Sequence, residues 1–476
     1  MRDHQIDQSL HIAILSFSAR WLPLVSDLRS TTMSHDEIVQ ALWRAARREM
    51  LKVINRTSYR SMLSLFLFGL TPIPSGISDE EELDGISAEL CVQAALQQVQ
   101  TLRARQRGCQ FNGAKVAPSS DNLLPSPAPS SASTTDFISA ESKVYWAALT
   151  FDTSATLTLN CRSSLCSGLL GFASESCWRL VESRASIFHD TTEDWRVHGF
   201  EASEERASQI ILASCSWKLY IWKMITVLRE ALRDGYGEDE VERAYTAVLN
   251  AIDRFNITYL PLLAVCERRL QFLSQEPKLN WCKSSLRCTR LLSCLFVVAK
   301  LTMTTDDLML HYHLAILMLV DAIEVAGRSD LLPKLTRART EAEHGVVNTL
   351  RFGLDSKFTI PRLPHEDMSE GENGQAEEPD VAVSFVAIDP YPHHVVAAVQ
   401  LVSKAVSRDF LTGKVRKDAF GNLQSTLMAA LEQLPQSSKS VQAGQQQMQG
   451  SLSTLQRLRE TTLTPDTPLW KSDLKS

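Results

Sequence analysis

The chain has 476 residues, 44% of them hydrophobic and 22% charged, with a formal net charge of −6. These values fit a folded globular chain and exclude a disordered or fibrous one, and the length predicts two or three helical subdomains. The acidic balance argues against a chain that grips nucleic acid by bulk electrostatics, because phosphate contacts need clustered Lys and Arg.

The N-terminus predicts no signal peptide. Its first residues are polar, and the apolar patch Ile12 to Phe17 is short and followed by Arg20. Two local basic runs, Arg44 with Arg47, Arg48 and Lys52, and Arg103 with Arg105 and Arg107, lie on amphipathic helical patterns and read as solvated faces. Glu80, Glu81, Glu82 and Asp84 follow Ser78, which predicts an N-cap with Glu81 in the capping-box position. Gly108 to Ser139 is rich in Pro and Ser and poor in apolar residues, so a disordered linker is expected there.

Lys143 to Asp152 is the densest stretch, with Arg162 shortly after it. Helical spacing puts Tyr145, Leu149 and Asp152 on one face. A buried carboxylate needs a partner. Arg162 is the nearest cation past the expected helix end, which predicts an Asp152–Arg162 ion pair packed among Trp146 and Phe151.

Further on, Trp217, Ile221, Met224, Ile225, Leu228 and Leu232 recur at helical spacing, so Ser214 to Leu232 is a predicted helix. Gly235 and Gly237 end it, and Glu238, Asp239 and Glu240 open the next. Trp217, Tyr220 and Trp222, with Trp178 and Trp195 before them, predict core packing, with a small-molecule pocket as the alternative. Met303 to Ala326 is a further helix, with Thr304 or Thr305 as N-cap. The longest apolar runs, Leu291 to Ala299 and Leu314 to Ala326, are short or interrupted by charge, and fall below the ~18 residues of a membrane span. Val381 to Ile388 is the one extended candidate. Pro361 to Asp380 is an expected acidic spacer. Pro435 to Ser453 is Gln- and Ser-rich, with a helix suggested through Leu452, Leu455 and Leu458.

No catalytic equipment is found. Asp306-Asp307 lacks the third carboxylate of a diphosphate-binding motif. His311 and His313 fall on different helix faces, and His393-His394 has no carboxylate nearby. No nucleophile elbow or phosphate-cradling Gly loop occurs. Ten cysteines include no Cys-x-x-Cys pair. Cys282, Cys288 and Cys294 are six apart, so on a helix their thiols point in three directions and cannot share a metal. Free thiols in a reducing compartment are expected.

Lys143, Trp146, Phe151, Asp152 and Arg162 resemble the signature of the middle regulatory region of fungal transcription factors, which runs basic-basic-x-Trp-Trp, large apolar, Asp, then Gly-Arg-Pro. Tyr145 stands for the first Trp, Thr153 for the Arg after Asp, and Cys161 and Ser163 for the Gly and Pro around Arg162. Ala13 to Arg20, Tyr59 to Leu70 (ended by Pro72 to Gly76) and Glu89 to Arg107 are similar to the first three helices of that region. The resemblance spans roughly residues 6–330. It implies an all-α, multi-helical regulatory domain with disordered linkers, made of N-terminal helices over 1–107, an insertion at 108–139, the remaining regulatory helices over 140–360, an acidic linker at 361–380 and a helical extension with a Gln/Ser-rich tail at 381–476.

The resemblance further implies a non-enzymatic, nuclear transcription regulator. Its expected partners are the transcriptional machinery or other regulators, with a small-molecule effector and homodimerisation as further options and no membrane. The binuclear zinc cluster that usually precedes this region is not in the chain. No cofactor is therefore expected here; zinc, and DNA contact, would come only through an upstream segment, lost or cut away. The alternative is a helical scaffold or adaptor with no transcriptional role.

Overall fold

A computed structural model of the chain describes residues 2–25, 34–111, 131–159, 162–201, 203–272, 305–360, 381–389 and 391–462. The protein is all-α, as the helical periodicity predicts. Helices α1 (Arg2–Ser18), α2 (Leu22–Val25), α3 (His35–Val53), α4 (Tyr59–Gly69), α5 (Asp79–Leu83) and α6 (Ala88–Phe111) come first. Then come α7 (Ser131–Leu159), α8 (Gly168–Ser174), α9 (Ser176–Thr191), α10 (Glu193–His198), α11 (Glu204–Arg233), α12 (Glu238–Arg254) and α13 (Leu260–Phe272). The last group is α14 (Thr305–Val325), α15 (Thr336–Asp355), α16 (Pro392–Leu411), α17 (Lys417–Gln433) and α18 (Lys439–Thr462).

Helix α11 is the hub. It packs against α7, α8, α9, α12, α13 and α14. Ile221, Ile225, Val227 and Leu228 along it are at most 2% exposed, and burying each contributes about 1.5–3 kcal/mol. Gly235, at φ +67°, ends the helix in the left-handed region that favours glycine. The N-terminal helices α1, α3, α4 and α6 pack on one another, and α6 packs on α7. Helix α14 carries α15 and α16, and α16 carries α17 and α18. The C-terminal segment returns to the Pro72–Gly76 break. Ser75 N donates to Ser437 O at 2.7 Å, and Lys439 N donates to Ile73 O at 2.8 Å.

The extended candidate is half right. Val381–Ser384 is a strand, paired antiparallel with Lys357–Ile360, and the chain then turns into a 3-10 helix at Val386–Ile388. The linker expected over 108–139 is shorter than that among the described residues: α6 runs to Phe111 and α7 starts at Ser131. The remainder of that segment, the whole of 361–380 and the Cys282, Cys288 and Cys294 trio lie outside the described residues. The last helix starts at Lys439, well before Leu452, because Val441, Gly444 and Met448 form a buried stripe that the Gln content hides.

Three local readings change. Ser78 does cap α5, accepting from Glu81 N at 3.1 Å, but the Glu81 side chain reaches Arg44 at 2.5 Å instead of closing a capping box. The first basic run is not simply a solvated face. Arg47 is 9% exposed; it donates to Ile86 O at 3.0 Å and Glu82 O at 2.7 Å, and also to Glu81 O, so it satisfies carbonyls at and beyond the end of α5. Two helices, Glu205–Arg233 and Leu308–Val325, do contain an 18-residue window of membrane-spanning length and apolarity, against expectation. Those windows are 67% and 61% buried among the other helices. Asp321, which interrupts the second run, accepts from Lys404 at 2.7 Å.

Candidate functional site

The signature residues lie on α7 and the loop after it. Tyr145, Leu149 and Asp152 are all buried, at 8, 1 and 2% exposure, so the predicted face is the inward one. Trp146 packs against Trp178 with ring centroids 5.8 Å apart, and Phe151 stacks on Phe66 at 4.4 Å. Lys143 is exposed. The Asp152–Arg162 pair does not form. Arg162 is exposed and donates to Ser167 Oγ at 2.8 Å and Tyr236 Oη at 3.0 Å.

The cation beside Asp152 is Lys223, from the middle of α11, which is 1% exposed. Asp152 accepts from Ser163 Oγ at 2.5 Å, Ser164 N at 2.8 Å and Leu165 N at 3.2 Å. Lys223 Nζ donates to Ser163 Oγ at 2.9 Å and to Cys166 O. Two turns C-terminal to Lys223 on the same side of α11, Glu230 accepts from Ser163 N at 2.7 Å, Gly168 N at 2.7 Å and Ser167 Oγ at 3.2 Å. The loop over 162–168 is thus clamped between α7 and α11 by two buried carboxylates and one buried ammonium. Gly168, at φ +63°, lets its N–H turn toward Glu230.

The electrostatics follow from burial. Burial pushes the Lys223 ammonium below its usual range, while Asp152, Cys166 and Glu230 pull it back up. Burial pushes the Cys166 thiol up to about 11, despite Lys223 nearby. Tyr145 is likewise pushed up by burial and by Glu175, to which its hydroxyl donates at 2.9 Å. Arg103 from the second basic run lies 3.4 Å over the Tyr145 ring and pairs with Glu175 at 3.3 Å. Its cation belongs to the interior around the signature. Ser163, though close to a lysine, is 5% exposed and directs its hydroxyl at Asp152. The node is a holding device: Asp152, Glu230, Lys223 and the Ser163 hydroxyl each have a named partner.

The aromatic residues behind the node form a ladder. Trp178, 0% exposed, meets Phe172 at 6.0 Å and Tyr220 at 6.5 Å. Tyr220 stacks on Trp217 at 4.4 Å, Trp217 lies 6.4 Å from Tyr259, and Phe255 stacks on Tyr312 at 4.0 Å. Trp178, Trp217 and Tyr220 are therefore core, filled by each other's rings. Trp195 stands apart, stacked on Phe200 at 5.4 Å. Trp222 turns elsewhere, into a buried histidine pair.

That pair was not legible in the sequence. His311 Nε2 and His394 Nδ1 are 2.9 Å apart, and His394 Nε2 is 3.3 Å from Ser154 Oγ on α7. Both histidines are 3% exposed, and the Trp222 indole donates to His311 O at 3.0 Å. Burial, reinforced by His393, His311 and Lys218, holds His394 well below the ordinary histidine range. His313 points away from the pair, as predicted, and burial takes it down to about 4. No group of three or more His, Cys, Asp or Glu among the described residues is placed to hold a metal ion. A surface groove with about 280 Å³ of open space lies between α14, α15 and α16. Its charges are already paired: Arg339 bridges Glu324 at 2.8 Å and Glu343 at 3.0 Å.

Comparison with protein-family models, with curated proteins and with solved structures finds no match to the chain.

Proposed function

We propose that the chain is the regulatory domain of a transcription factor of the fungal type, acting through protein partners and without enzymatic activity of its own. One observation carries this reading. Of the resembling signature, Trp146, Phe151 and Asp152 pack inward beside Tyr145, and Asp152 fixes the following loop against the central helix, while Lys143 and Arg162 are exposed. Packing of that kind builds a shape, and a shape is what a partner-binding domain presents. The buried charges of the node support the same reading, since Asp152, Glu230 and Lys223 are spent on the hydroxyls and backbone of the 162–168 loop. The nuclear location and the lack of a resident cofactor belong to the proposal.

The test is nuclear localisation together with promoter occupancy of the natural full-length product. Nuclear enrichment with discrete promoter peaks is expected. A protein distributed through the cytoplasm and absent from chromatin under all growth conditions would favour a helical scaffold or adaptor instead.

A further inference from the structure

The π-helical turn Phe255–Tyr259, between α12 and α13, has an inner and an outer side. Phe255 and Tyr259 are core, at most 1% exposed. Ile257 and Leu260, on the outer side, are 61% and 37% exposed. A single π-turn inside a helix is rare and often marks a functional surface. Two neighbouring helices widen the apolar area. Helix α9 is tied to the turn by His189 Nδ1 and Thr258 Oγ1 at 2.7 Å, and by Phe188 stacked on Tyr259 at 5.4 Å; its Ile187 is 59% exposed. Helix α10 packs on α13, and its Val197 is 68% exposed. Single exposed apolar residues need no explanation, but four on elements packed together do.

The charges around this area are of one sign. Asp190 ends α9 next to His189, Glu193 opens α10, and Asp253 precedes Ile257 by one turn; all three are exposed. Burial first, and then Arg196 and Arg254, hold the His189 imidazole low, while Asp190 and Glu193 pull it back up, so both acids lie within electrostatic reach of the tie to Thr258. Among the described residues none of the three carboxylates takes part in an ion pair or a side-chain hydrogen bond. The two nearby guanidiniums are half-buried and spent inward. Arg196 donates to His189 O at 2.8 Å and Thr192 Oγ1 at 2.7 Å, and Arg254 donates to Ser186 Oγ at 3.1 Å. From Ile187 to Val197 and from Asp253 to Leu260 no Lys or Arg is exposed.

An apolar centre with a charged rim is the usual anatomy of a protein interface. Three unpaired carboxylates and no exposed cation fix the sign of what it takes, because an acidic occupant would be repelled and a neutral one would leave the rim unanswered. An amphipathic helix supplies the required pattern, an apolar stripe with Lys and Arg on its flanks.

We propose that this surface docks a basic amphipathic helix of a partner protein, its apolar stripe on Ile187, Val197, Ile257 and Leu260 and its cations facing Asp190, Glu193 and Asp253. The test reads binding by the purified chain, so its outcome is separate from nuclear location and from any role in transcription.

The probe is a fluorescein-labelled synthetic helix of about four turns, with Leu on one face and Lys on the other, titrated with the full chain and followed by fluorescence anisotropy. Saturable binding with a dissociation constant on the order of 10 µM is expected, weakening as salt is raised. Replacing Ile257 and Leu260 together by Ser should weaken it at least about tenfold. Replacing Asp190 and Glu193 together by Lys should weaken it about tenfold as well. Both pairs of changes are at exposed positions, so far-UV circular dichroism should not change. Leu411→Ser, at a 59% exposed apolar position on α16, should leave binding as it was. The absence of saturable binding up to about 1 mM would overturn the proposal, including the case in which a second copy or another part of the same chain covers the area. So would binding indifferent to both pairs of changes, or equal binding of the same peptide with Glu in place of Lys.

Discussion

Replacing Asp152 by Ala removes the carboxylate on which the clamp depends. Three donors lose their acceptor at once: the Ser163 hydroxyl and the N–H groups of Ser164 and Leu165. Lys223, at 1% exposure, loses its nearest countercharge. Breaking a buried ion pair from one side costs about 3–5 kcal/mol, since the other charge is left uncompensated. Each stranded donor adds about 1–3 kcal/mol if no water reaches it. These contributions overlap, and we expect a total of about 4–5 kcal/mol. Arg162→Ala should cost only about 1 kcal/mol, because that guanidinium is exposed and donates to two exposed hydroxyls. Urea denaturation followed by tryptophan fluorescence measures both. Lys223→Met tests the partnership: the Asp152→Ala, Lys223→Met double variant should be more stable than the sum of the single losses by about 1–3 kcal/mol. Strict additivity, or a loss at Arg162 as large as that at Asp152, would refute this account of the node.

Acid should destabilise the fold through its buried histidines. His313 falls from 6.5 to about 4 on folding, and His394 falls well below 6.5. The unfolded chain therefore binds more protons between about pH 4 and 6.5, so stability is complete above that window and is lost as pH falls through it. His313 alone accounts for on the order of 3 kcal/mol, while Asp389, raised to about 6, works in the opposite sense. Urea midpoints that stay level or rise between pH 7 and pH 4 would contradict this. Gly345→Ala should cost about 1–3 kcal/mol, since an added Cβ would lie 2.2 Å from His313 Nε2 in a packed seam; a neutral thermal shift would show that the ring yields. Arg47→Ala should cost about 2–3 kcal/mol by stranding the carbonyls of Glu81, Glu82 and Ile86, against at most about 0.5 kcal/mol for the exposed neighbour Arg48→Ala; equal melting temperatures would mean that both are solvated.

The helices were legible because hydrophobic spacing is a local property. Trp217 to Leu232 and Val241 to Ile252 announce their inner faces unaided, and Gly235 marks the break between them. The partners of buried polar groups are not local. Asp152 took Lys223, seventy-one positions away, over Arg162, ten away, because α11 crosses α7 there; spacing along the chain favours the near cation and carries no information about the crossing. The histidine pair has the same origin. His311 and His394 are eighty-three residues apart, and neither has a local feature that points to the other. Arg47 reads as one of a basic run, and only the placement of α5 beneath it turns that charge inward. Gln-rich composition masked the stripe of Val441, Gly444 and Met448, because composition averages over faces that a helix keeps apart.

The central claim is that this helical body is a transcriptional regulatory domain. Fusing the chain to an unrelated DNA-binding domain and measuring a reporter downstream of that domain's site tests it most directly. The account predicts that the fusion changes reporter transcription several-fold relative to the DNA-binding domain alone, and that Asp152→Ala abolishes the change while Arg162→Ala leaves it. A fusion present in the nucleus at normal level that leaves the reporter unchanged would contradict it.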